Sequence, residues 1–118
     1  MDLGGVHHVS INVTDNAEAA AFYTDVLGLE VMERPDFGFP GTWLKSANGI
    51  EIHLLEVEGW VAPKGQHYAF AVSDIDAAIA HMRDNGIDIG DARDIPDTGG
   101  RQAFTFDPSG NMIEFNQA

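Results

Sequence analysis

The sequence predicts an α+β fold made of two copies of one β-α-β-β-β module, and two observations predict it. First, residues 7–15 read HHVSINVTD and residues 66–74 read QHYAFAVSD. Each places a histidine at the head of an alternating run that closes in Val-Ser/Thr-Asp and leads into a helix-like stretch. Second, the stretches that close the two halves also match, NGIEIHL (48–54) on SGNMIEF (109–115). In this alignment His8 falls on His67 and His53 on Glu114. The repeat is too long for a solenoid. It reads as two modules, about 5–58 and 66–118, related by a pseudo-twofold within one domain spanning 1–118.

Each element has a local reason. VHHVSINV (6–13) alternates with period 2 and reads as a strand. TDNAEAAAFYTDVLG (14–28) reads as a helix. Asp15 and Glu18 form a capping-box-like start, Ala19, Ala20, Phe22, Tyr23, Val26 and Leu27 form an apolar face, and Gly28 is the stop. LEVMER (29–34) and TWLKSA (42–47) read as strands around a Pro/Gly loop, PDFGFPG. Asn48-Gly49 is a hairpin turn into IEIHLLEV (50–57). After the linker EGWVAPKGQ the order restarts. HYAFAV is a strand, and SDIDAAIAHMRDNG (73–86) is a helix with Ser73 and Asp76 at its start and Gly86 at its end. IDIG is a short strand, DARDIPDTGG a loop, RQAFTF a strand, DPSGN a turn and MIEFNQ the last strand.

Composition excludes several functions. A chain of 118 residues with 44% hydrophobic content can bury a core. No apolar run reaches the roughly 18 residues of a membrane span, and MDLGGVHH has neither the basic head nor the apolar stretch of a signal peptide. There are no cysteines, which removes disulfides and thiolate metal sites and makes the cytoplasm the expected location. With 19 Asp and Glu against 6 Lys and Arg, a formal net of −13, the surface repels nucleic acid and anionic membranes. The expected partner is a small molecule.

Strand parity selects the candidate site. Side chains alternate faces along a strand, so His8 travels with Ser10 and Asn12, His67 with Ala69 and Ala71, His53 with Glu51 and Leu55, and Glu114 with Met112 and Asn116. In each strand the metal-capable residue lies on the smaller or more polar face. The bulky face can receive a helix. Strands curved into a cup with helices outside would leave a polar concavity in which His8, His53, His67 and Glu114 meet. Three imidazoles and one carboxylate suit one divalent ion: Zn, Ni, Co, Mn or Fe. Ser10, Asn12, Trp43, Arg101, Phe104 and Met112 are expected to line the substrate pocket, with Arg101 as an anion contact. Phe37, Phe39 and Trp43 either cap that pocket or fill core. His7 is expected to point away from His8, and Glu51, on the His53 face, to be either a pocket base or, the favoured reading, a solvated edge charge.

HHVSINV, the AFYTDVLGLEV block, IEIHLLEV, GQHYAFAVSDIDAAIAHM and FDPSGNMIEF together resemble the vicinal oxygen chelate superfamily. That superfamily includes glyoxalase I, methylmalonyl-CoA epimerase, fosfomycin-resistance proteins, extradiol dioxygenases and bleomycin-binding proteins. The resemblance covers nearly the whole chain. It implies paired βαβββ modules around one metal, with His8, His67 and Glu114 at ligand positions. His53 takes the remaining position, a glutamate in glyoxalase I, so Glu114 is the sole carboxylate of the set and the candidate catalytic group. The implied function is a metal-dependent lyase or isomerase acting through an enediolate-type intermediate on a small bidentate oxygen substrate. Fe(II) extradiol-type dioxygenase chemistry and non-catalytic, bleomycin-resistance-like binding are the alternatives. Family members of this length commonly form homodimers.

Overall fold

The computed structural model describes all 118 residues, Met1–Ala118. It contains eight strands and two helices in two units, Met1–Val61 and Ala62–Ala118. No helix is long and apolar enough to cross a membrane.

In the first unit, β1 (His8–Val13), β4 (Glu51–Glu56), β3 (Gly41–Lys45) and β2 (Glu30–Met32) form a sheet in the order β1-β4-β3-β2. Only β1 and β4 run parallel. The second unit repeats this with β5 (His67–Ala71), β8 (Met112–Gln117), β7 (Arg101–Phe106) and β6 (Arg93–Asp94), in the order β5-β8-β7-β6. Both units are therefore βαβββ modules in an α+β chain. The repeat extends to the register. Ser10, two residues beyond His8, pairs with His53, and Ala69, two beyond His67, pairs with Glu114.

Each sheet gives one face to a helix. In the first unit that face carries Val13, Leu44, Ile52 and Leu54, all buried, and receives α1 (Asn16–Ala21) with Ala19, Phe22 and Tyr23. In the second it carries Ala103, Thr105, Ile113 and Phe115, and receives α2 (Ile75–Asp84) through Ile75, Ile79 and Met82. Those three recur at helical spacing, which is why this stretch forms an amphipathic helix and not a strand. The first turn of each helix is tied to the last strand of its sheet. The Asn16 N–H donates to Glu56 Oε2 at 2.8 Å, and the Ile75 N–H donates to Gln117 Oε1 at 2.7 Å.

Several elements differ from the sequence expectation. The first helix is α-helical only to Ala21, and Phe22–Val26 winds as a π turn. The consecutive rings of Phe22 and Tyr23 are both buried, which the wider turn permits. The Thr24 hydroxyl donates back to the Ala20 carbonyl at 2.9 Å and loosens the α ladder there. The cap of α2 is Asp74, whose carboxylate accepts from the Ala77 N–H, not Ser73. The strand expected at IDIG is a single bridge, Ile89 to Thr105, and the loop after it contains the short β6.

The DPSGN segment is a tight turn that aims β8. Asp107 Oδ1 accepts from the N–H groups of Ser109 and Asn111, each at 2.9 Å, and Oδ2 accepts from Asn111 Nδ2. Gly110 takes the positive φ of 83° that the turn requires. The strand leaving this turn presents Glu114.

Candidate metal centre

The face of each sheet away from its helix carries the expected ligands, one pair per unit. In the second unit His67 Nε2 stands 3.1 Å from Glu114 Oε1. Outer contacts orient both groups. His67 Nδ1 lies 2.9 Å from the Gly65 carbonyl, which can only accept, so Nδ1 carries the proton. Asn116 Nδ2 donates to Glu114 Oε2 at 2.8 Å and fixes the carboxylate plane. The imidazole Nε2 therefore presents its lone pair toward a carboxylate oxygen unless a proton or a cation lies between them. Phe104, paired with Glu114 across the strands, sets its ring edge-on to His67 at 5.3 Å. Met112 stands opposite His67 in the ladder.

The first unit holds the other pair. The imidazoles of His8 and His53 stack at 4.1 Å, and His53 stacks on Trp43 at 4.3 Å, so three rings lie in a row across β1, β4 and β3. His53 Nε2 lies 2.9 Å from Glu51 Oε1. A carboxylate only accepts, so Nε2 donates and the lone pair is on Nδ1. The His53 hydrogen bond holds the Glu51 carboxyl below its usual range. Burial opposes that shift, and the nearby His7, His53 and His8 charges add to it.

The chemistry of these donors fits a divalent ion. Metal-binding histidines characteristically give their second nitrogen to a carbonyl or carboxylate, as His67 does to Gly65 and His53 to Glu51. Two ligand atoms each roughly 2.1 Å from one ion stand about 3.0 Å apart at an octahedral right angle and about 3.4 Å apart at the tetrahedral angle, a range that includes the 3.1 Å of the His67–Glu114 pair. No three or more His, Asp or Glu side chains are grouped so as to hold an ion. The donors are organised as two pairs.

The structure relocates three expected residues. Arg101 was expected as an anion contact in the pocket, but it lies on the helix-facing side of β7, opposite to Glu114. Its guanidinium makes two hydrogen bonds to Asp76 of α2, at 3.0 and 3.1 Å. Parity forbids both roles at once, because Arg101 pairs with Gln117 whereas Phe104 pairs with Glu114. His7 precedes β1 and so escapes its alternation. It turns onto the ligand face, with Nδ1 2.9 Å from His8 Nδ1 and Nε2 3.9 Å from Glu51. Glu51 is held by His53 instead of standing free in solvent. Ser10, Asn12, Trp43, Phe104 and Met112 do share faces with the expected ligands. Phe37 and Phe39 are exposed and do not fill core.

The model of the Glyoxalase/Bleomycin resistance protein/Dioxygenase superfamily matches residues 5–115. The chain belongs to this superfamily. It is 30% identical to YaeR of Escherichia coli (strain K12) over 124 aligned residues, covering 97% of this chain and 96% of YaeR. The crystal structure of a glyoxalase family protein from Bacillus anthracis superposes with a TM-score of 0.88 at 30% identity, covering 99% of this chain and 97% of that one. Lactoylglutathione lyase from Agrobacterium tumefaciens superposes with a TM-score of 0.81 at 20% identity, over 100% and 96% of the two chains, a likeness of fold alone.

Proposed function

We propose that the protein is a metal-dependent lyase or isomerase for a small substrate with two neighbouring oxygens, working as a homodimer of single-domain chains. His8, His53, His67 and Glu114 would hold one divalent ion, Zn, Ni, Co, Mn or Fe. The His67–Glu114 pair carries the reading, because each partner is braced on its far side, by Gly65 and by Asn116. A structural ion pair does not need that bracing.

When bound, the ion would act as a Lewis acid, polarising the substrate oxygens and stabilising negative charge. The protein's own groups do the rest. Asn116 holds Glu114 Oε2 and Oε1 would face the ion, so Glu114 would take up and return a proton only through an oxygen that one of these partners releases. Phe104 and Met112 flank the His67–Glu114 pair on that face. Ser10 and Asn12 offer hydroxyl and amide groups on the His8 face. Trp43 supplies a flat wall beside His53.

A second reading, sequestration of a ligand without turnover, rests on the exposed Phe37 and Phe39 beside Trp43. Elemental analysis of untagged wild type and His67→Ala tests the primary reading. One divalent ion per chain, lost in the variant, supports it. A wild type that stays metal-free after Ni, Zn, Mn or Fe(II) is offered sinks it and leaves the binding protein.

A further inference from the structure

The chain has six Lys and Arg, and carboxylates hold two of the arginines. Arg83 pairs with Asp91 at 3.0 Å and Arg101 with Asp76 at 3.0 Å. Arg34 is different: no carboxylate holds it. Its guanidinium carbon lies 5.0 Å from the ring centroids of both Phe37 and Phe39, and Nη1 donates to the Phe39 carbonyl at 3.2 Å. Its Nε is buried without a partner. The aromatic rings engage the π face of the guanidinium and Nη1 spends one N–H on the Phe39 carbonyl, which leaves the Nη2 end, with no carboxylate partner, as the part an anion can grip.

Gly41 fixes where this guanidinium lies. A Cβ on Gly41 would fall 2.7 Å from Arg34 Nη2 and 2.8 Å from Cζ. The guanidinium therefore occupies the space above Gly41 where a side chain would be. Gly41 and Trp43 share a face of β3, and Trp43 pairs with His53. Arg34 thus stands on the His8–His53 face, two residues along β3 from Trp43, roughly 7 Å away. From His53 outward the face runs imidazole, indole, guanidinium, with Phe37 6.0 Å from Trp43.

The geometry points to Arg34 as the substrate's anion-binding residue. The substrate class is then a small flat carboxylate, with chelating oxygens at the His53 end, its planar part against Trp43, and its anionic group on Arg34. This rests on the metal reading for the oxygen end only. An acidic chain with net charge −13 repels anions at large, so selecting one requires a local cation free of acidic partners, which Arg34 provides.

Two probes test it on zinc-loaded protein: benzohydroxamic acid and its 4-carboxy derivative, which share the bidentate oxygens and differ in the distal carboxylate. Binding is read by calorimetry. The carboxylate should bind roughly tenfold or more tightly than its parent. That ratio should fall to about one in Arg34→Met and be partly kept in Arg34→Lys, with unchanged melting curves. A wild-type ratio near one, a ratio that survives in Arg34→Met, or no binding of either probe overturns the proposal. The same titrations on chelator-treated protein separate the two ideas. Zinc-dependent binding of both probes with no carboxylate preference removes Arg34 alone. A carboxylate preference that is indifferent to zinc removes the metal reading and keeps Arg34.

Discussion

Replacing Gly41 with alanine should be one of the costliest single-methyl additions in this chain. The new Cβ would sit 2.5 Å from the Leu54 carbonyl oxygen, as well as against Arg34. Arg34 can swing away, but the Leu54 carbonyl belongs to β4, and moving it disturbs the ladder of a strand whose Ile52, His53 and Leu54 are buried. Forcing a methyl into a site this tight costs about 2 kcal/mol, which for a domain of this size lowers the melting temperature by roughly 8 °C. Gly90→Ala is the internal control. Its Cβ would meet only the Phe104 carbonyl, at 3.8 Å, and neither glycine needs a positive φ. That variant should be neutral or slightly stabilising, since alanine restricts the unfolded chain. Melting followed by circular dichroism on both variants decides the matter. If Gly41→Ala melts with wild type, the close approach of β3, Leu54 and Arg34 is not as described, and the placement of Arg34 loses its support.

Two further outcomes follow from the second unit. The Arg101 hydrogen bonds hold the Asp76 carboxyl below its usual value, with burial opposing. A depressed carboxyl favours the folded state above its unfolded pKa, and that contribution fades as pH falls through the folded value. Arg101→Ala should therefore raise the Asp76 midpoint in a carboxyl NMR titration and shrink stability only on the neutral side. It should leave metal uptake untouched, and a loss of metal with this variant would contradict the face assignment. Asn116→Leu should weaken divalent-ion affinity by roughly 10- to 100-fold through the freed Glu114 carboxylate while keeping the fold. Unaltered affinity in competition with a chelating dye would show that the amide does not orient Glu114.

The repeat was legible because period-2 alternation and the matching closing strands both constrain which face a side chain takes. Parity alone placed His8, His53, His67 and Glu114 on the faces away from the helices, and the register bears that placement out. The places where sequence reasoning fails have different causes, and the first is that parity holds only inside a strand. His7 sits one residue before β1 begins, so no alternation governed it. Arg101 does lie inside a strand, and counting from Phe104 and Glu114 would have put it on the helix side. Charge alone, without parity, suggests a pocket role for it. Arg34 was invisible for a different reason. It follows β2 in an irregular segment, and only the absent side chain of Gly41, two strand residues from Trp43, reveals where its guanidinium rests. The π turn at Phe22–Val26 was likewise hidden, because a six-residue apolar face is compatible with either winding.

The identity of the residue at position 53 connects the two ends of the proposed site. A carboxylate there would give the ligand set a second negative charge and leave a divalent ion formally neutralised. With histidine, the proposed set of His8, His53, His67 and Glu114 would leave a single net positive charge on a divalent ion. Glu51, the carboxylate nearest to His53, is already committed to the imidazole Nε2, so its charge acts on the outer side of that ring. A centre with residual positive charge attracts anions, and in an acidic protein it does so only over short range, within about one Debye length. Arg34 extends the attraction along the Trp43 wall and gives it a direction. The ring row would then set the distance between the two charges, and that distance, more than the metal, would decide which small carboxylates fit.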